Sequence, residues 1–178
     1  MRFEDYLNQC LKNPEFRRYW EEDNELVIES YLPAFDVDEA LKALNALDEE
    51  DLSDIIKNKG VKANVPTQTE IIFYENDGKC PVKSFLEDIK NERLKSKTLK
   101  NIASLSILGK NARPPLSSYV EDGIFELRTE QGGWTRIFYF FIFGNEIVMT
   151  NGYIKKQNKL DKTELAKAKR YRDEYLNR

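Results

Sequence analysis

The sequence predicts an α+β protein in two parts. An all-helical segment spans residues 1–60, and a domain running β-α-α-β-β-β-α spans residues 69–178 with a small, largely antiparallel sheet. Three observations carry this. Apolar residues recur at helical spacing through the first sixty positions. From residue 69 the pattern changes to short apolar runs bounded by turn residues. The charge changes at the same place: residues 1–68 hold 8 Lys/Arg against 16 Asp/Glu, and residues 69–178 hold 20 against 15.

Phe3, Tyr6, Leu7 and Leu11 share one face of a first helix, 3–12. Asn13-Pro14 reads as an N-cap followed by proline at the first helical position. The helix it opens, 14–31, carries Phe16, Tyr19, Trp20 and Val27, and Pro33 ends it. Asp36 caps a third helix, 37–46, with Val37, Ala40, Leu41 and Leu44 on one face. Asp48 caps a fourth with Leu52, Ile55 and Ile56, which stops at Gly60. Residues 61–68 have no periodicity and contain a proline, so they read as a linker.

Residues 69–75 form the first strand, ended by Asn76-Asp77-Gly78. Pro81 opens a helix over 81–92, and a second helix, 94–109, ends at Gly109. Lys95, Lys97, Lys100 and Lys110 read as its outer, solvated face. Residues 111–118, with Pro114-Pro115, read as a loop. Strands follow at 123–129, 134–143 and 146–154, separated by Gln131-Gly132-Gly133 and Gly144-Asn145. The middle strand is apolar on both faces and so is expected to be covered on both. A last helix spans 161–176.

Composition removes several kinds of chemistry. Histidine is absent, which excludes Ser-His triads, Cys-His dyads and nearly all zinc sites. Cys10 and Cys80 form no CxxC pair and read as reduced thiols of a cytoplasmic protein. The longest apolar run, residues 137–143, is far short of the roughly 20 residues of a membrane span. No membrane partner is expected.

Four phrases stand in order on these elements. They are Phe125-Glu126-Leu127-Arg128 after Asp122-Gly123; Thr135-Arg136-Ile137-Phe138-Tyr139; Gly152-Tyr153-Ile154-Lys155-Lys156; and the tail from Lys159 to Arg172. Together they resemble the RelE/ParE toxin superfamily, in its HigB-like branch, over residues 69–176. Residues 3–22 resemble the opening helices of the HigA-type antitoxins that pair with such toxins. Residues 36–60 are too few for the DNA-binding domain that usually follows. The chain thus reads as an antitoxin-like segment, 1–60, a linker, 61–68, and a toxin-like domain, 69–178.

The resemblance implies an endoribonuclease that cuts messenger RNA on the ribosome. The neighbouring 2′-hydroxyl attacks, so neither metal nor cofactor is required. It leaves a non-catalytic RNA- or protein-binding module, or a ParE-like gyrase inhibitor, as alternatives. The expected catalytic residues are Arg128, Arg136, Tyr153, Lys155 and Lys156. Arginine forks suit a pentavalent phosphorane, and lysine or tyrosine can move protons. Lys110, Arg113 and Tyr139 are expected RNA-binding residues. Each has a plainer reading: the arginines as salt-bridged surface residues (with Glu126 as a partner), the lysines as solvated charge, Tyr139 as core. The expected partners are ribosome-bound mRNA and either a cognate antitoxin or the chain's own N-terminal segment. That segment, acidic where the domain is basic, is expected to inhibit the site, with Phe16, Tyr19 and Trp20 either docking on the sheet or packing among themselves.

Overall fold

The computed structural model of the chain describes residues 1–22, 69–142, 145–156 and 159–178. Helices α1 (Phe3–Cys10) and α2 (Pro14–Glu22) come first. Asn13 caps α2 as expected, its Oδ1 accepting from the Glu15 and Phe16 amides at 2.9 and 3.3 Å. The helices expected at 37–46 and 48–60, and the linker 61–68, lie outside the described residues. Strand β1 (Glu70–Phe73) precedes α3 (Pro81–Asp88) and α4 (Glu92–Leu108). A short 3-10 turn (Gly109–Asn111) leads to β2 (Ser117–Glu121), β3 (Ile124–Glu130), β4 (Trp134–Ile142) and β5 (Glu146–Ile154). Helix α5 (Lys162–Leu176) closes the order.

The five strands form one sheet in the order β1-β5-β4-β3-β2. Only the β1–β5 pair is parallel; the other three are antiparallel. Strand β2 overlaps the expected loop 111–118 and extends the sheet beyond β3. Its connection to β3 is the two-residue turn Asp122-Gly123, with φ of 48° and 74°, as a type I′ hairpin requires.

Alternation along β4 divides the core. Ile137 and Tyr139 face α3 and α4 in a cluster with Ile71, Phe73, Leu127, Ile147 and Met149. Phe138 and Phe140 face α5 in a second cluster with Ile124, Val148, Leu165 and Ala168. Helices α1 and α2 join the first cluster. Phe3, Tyr6 and Phe16 are buried there, and the Phe3 and Tyr6 rings lie 6.2 and 5.7 Å from Phe73. Residues 1–22 are therefore packed into the core of the sheet domain, on the α3–α4 side.

Helix α4 lies between the sheet and α2, which explains its buried Ser, Thr and Asn residues. Lys100 departs from expectation: it is 3% exposed, its Nζ 5.6 Å from the centre of the Trp20 ring. The aliphatic stem packs under α2 while the ammonium meets a π face.

On the other side, α5 covers only part of the sheet. A bulge in β5 sets aside Thr150, whose hydroxyl donates to the Phe138 carbonyl at 3.1 Å. Asn151 then donates to the Glu164 carbonyl at 3.1 Å and its carboxylate at 2.9 Å, fixing the first turn of α5. At the far end, Lys169 pairs with Glu121 and Asp122.

Candidate functional site

The β3–β4 hairpin places Arg128 directly opposite Arg136, and β5 places Tyr153 opposite Arg136. All three point to the face that α5 partly covers, beyond the start of that helix. Glu126 is two residues before Arg128 and so shares the face. Arg128 Nε and Nη2 approach Glu126 Oε1 at 2.7 and 2.6 Å. Arg136 Nε stands 3.8 Å from Glu126 Oε2. The carboxylate thus bridges two guanidinium groups that would otherwise repel each other.

The two arginines are not equivalent. The Arg128 side chain is 37% exposed; those of Arg136 and Glu126 are 11% and 9% exposed. Arg136 donates from Nη1 to the Thr135 carbonyl at 2.8 Å, while its buried Nε finds no hydrogen-bond acceptor. Burial pulls the Arg136 guanidinium below its ordinary value, Glu126 pulls it back up, and Arg128 lowers it.

The strands beneath the arginines are fixed from α4. Asn101 Nδ2 donates to the Arg128 carbonyl at 2.9 Å and to Thr129 Oγ1 at 3.0 Å. The Thr98 and Thr135 hydroxyls meet at 3.2 Å. These bonds hold the backbone of both arginines from the opposite side of the sheet.

Tyr153, Lys155 and Lys156 line an open groove between the end of β5 and the start of α5, together with Lys159, Asp161 and Lys162. The Lys155 amide donates to the Trp134 carbonyl at 2.8 Å, so the ladder continues one residue past β5. By alternation Lys155 shares the arginine face, and Lys156 follows, exposed. The Tyr153 hydroxyl is buried beside the Asp161 backbone without a well-aligned hydrogen bond. Burial raises its pKa above the ordinary tyrosine value, so it holds its proton at neutral pH. Arg128 and Arg136 line a second groove at the β3 edge with Lys97 and Asn101. Arg136 of the second groove stands opposite Tyr153 of the first.

Other expected residues lie elsewhere. Tyr139, expected to bind RNA, does not reach this surface. It is three residues from Arg136, which puts it on the opposite face, 1% exposed and hydrogen-bonded to Ser117. Burial pushes its hydroxyl up to about 12. Arg113 folds back onto its own loop, donating to the Lys110 and Ala112 carbonyls at 2.7 and 2.9 Å.

Phe16, Tyr19 and Trp20 do dock, but on α4. Phe16 is buried, Trp20 packs 6.1 Å from it, and Tyr19 lies under Arg93. Residues 1–22 therefore pack on the α3–α4 side of the sheet, opposite the face of Arg128 and Arg136. The rest of the expected inhibitory segment lies outside the described residues.

Glu126, expected only as a partner of the arginines, and Trp134, which no sequence motif marks, share this face. Trp134 follows the Gly132-Gly133 turn and alternates onto the same face as Arg136. That alternation was the available signal.

A family model described as Phage derived protein Gp49-like (DUF891) matches residues 86–173. That family belongs to the RelE/HigB-type toxin superfamily, so this stretch of the chain is similar to toxins of that kind. The match includes Glu126, Arg128, Trp134, Arg136, Tyr153, Lys155 and Lys156. It ends short of α1 and α2, and nothing in it extends to the antitoxin-like reading of residues 3–22. No curated protein matches the chain. No helix among the described residues is long and apolar enough to cross a membrane.

Proposed function

We propose that the chain is a toxin-antitoxin-related endoribonuclease that cleaves messenger RNA on the ribosome at the arginine face. The observation that carries this reading is the pairing of Arg128 and Arg136 across β3–β4, bridged by Glu126. Two adjacent guanidinium forks can hold two oxygens of one phosphate and stabilise the extra charge of a phosphorane. The 2′-oxygen attacks the adjacent phosphorus, its proton passes to a base, and the bond to the 5′-oxygen breaks. The 5′-oxygen takes a proton, leaving a 2′,3′-cyclic phosphate and a 5′-hydroxyl.

Tyr153 and Lys155 are the proton donors nearest the arginines along the strand, and Lys156 adds charge at the groove. Glu126 is the carboxylate available to accept the 2′-hydroxyl proton once a phosphate takes over Arg128. An antitoxin is the partner that a toxin-like chain implies.

A second reading, a non-catalytic binding module, is favoured by one fact: the Arg136 side chain is nine-tenths buried and Glu126 already neutralises part of the pair. Incubation of the full chain with translating ribosomes, followed by mapping of new mRNA ends, separates the two. New ends support the nuclease; a folded chain that binds RNA and yields no ends supports the module.

A further inference from the structure

The arginine face ends in an aromatic side chain that the chemistry above does not use. Trp134 is 45% exposed, whereas Phe138 and Phe140, on the same face of the same strand, are at most 2% exposed. It stands opposite Glu130 on β3, and its carbonyl receives the Lys155 amide. Two residues along, on the same side of the sheet, is Arg136. Adjacent same-face positions on a strand are about 7 Å apart, close to the spacing between a phosphate and its own base. The indole is left nearly half exposed beside the two arginine forks and stands outside both buried clusters. It offers a flat π surface at the height where a base would lie.

We propose that Trp134 is the stacking platform for a nucleobase of a single-stranded substrate whose phosphate is held by Arg128 and Arg136. This rests on the RNA reading of the arginine face and adds a residue that recognises the base. The forks alone would bind duplex, single strand or free phosphate. The indole requires an unstacked base and so restricts the site to single strands or extruded nucleotides.

The test uses the full chain and a fluorescein-labelled 2′-O-methyl single strand, which lacks the attacking hydroxyl, read by anisotropy. A deoxyribose-phosphate oligomer of equal length without bases serves as comparator. Trp134→Ala is expected to weaken binding of the base-bearing strand roughly 5- to 100-fold. It should leave the abasic oligomer unchanged, and Trp134→Phe should recover most of the loss. Equal weakening of both oligomers, or no weakening of either, overturns the platform while leaving the RNA reading intact. A native chain that binds neither oligomer overturns both.

Discussion

Arg136 gives the site its polarity: a cation enclosed by the sheet, with one donor unmet and a shared carboxylate beside it. Arg128→Ala and Arg136→Ala should each lower mRNA cleavage about 10²–10³-fold, the usual cost of one transition-state donor. Either change carries a second cost, because it leaves buried Glu126 without one of its two arginine partners. Both melting temperatures should therefore fall. Lys155→Arg distinguishes charge from proton transfer. A guanidinium cannot shuttle protons near neutral pH, so failure of Arg to restore activity assigns Lys155 a proton, and full activity assigns it charge alone. Tyr139→Phe should leave cleavage intact and cost about 0.5–1.5 kcal/mol of stability through the lost Ser117 bond. The Arg128–Arg136 pairing was legible before the structure, because a hairpin closed at Gln131–Gly133 sets them opposite. The misplacement of Tyr139 was legible too, since an odd offset from Arg136 reverses the face.

Strand β5 shows how one element positions the groove. Gly152 lies opposite Ile137, facing α3, and a Cβ there would stand 2.2 Å from a Phe85 ring carbon. The glycine of the Gly152-Tyr153 phrase is thus the space that seats α3, and it leaves Tyr153 to the other face. Gly152→Ala should cost about 1–3 kcal/mol through forced repacking of Phe85, measurable by denaturant unfolding. A stability equal to that of the native chain would remove this reason for the glycine. The bulge at Thr150 was not legible, because Thr150-Asn151-Gly152 carries no apolar-polar alternation against which an extra residue would show. Strand β2 was hidden by Pro114-Pro115 and by the weakly alternating Ser117–Glu121, although Asp122-Gly123 is a strong hairpin signal. Helix α4 misled at Lys100, because a helix packed on two sides does not keep its lysines outward.

Across the whole molecule, the charge step at residue 69 suggested two separable parts, yet packing unites residues 1–22 with the sheet domain. Periodicity locates an apolar face but does not say which partner covers it, so Phe16 and Trp20 were readable as anchors and their seat on α4 was not. Phe16→Ala should therefore lower stability by about 3–5 kcal/mol, the usual cost of emptying a buried aromatic site. It should not raise the cleavage rate of the folded protein. A rate increase without loss of stability would restore the inhibitory role of these side chains. The arginine face, left uncovered by residues 1–22 and set beside the lysine groove, is the feature on which the functional reading depends. The direct measurement is end-group analysis of mRNA from translating ribosomes, comparing the native chain with the folded Arg128→Ala, Arg136→Ala double variant. The account predicts new 5′-hydroxyl ends with the native chain and none with the variant; equal ends from both, or none from either, would contradict it.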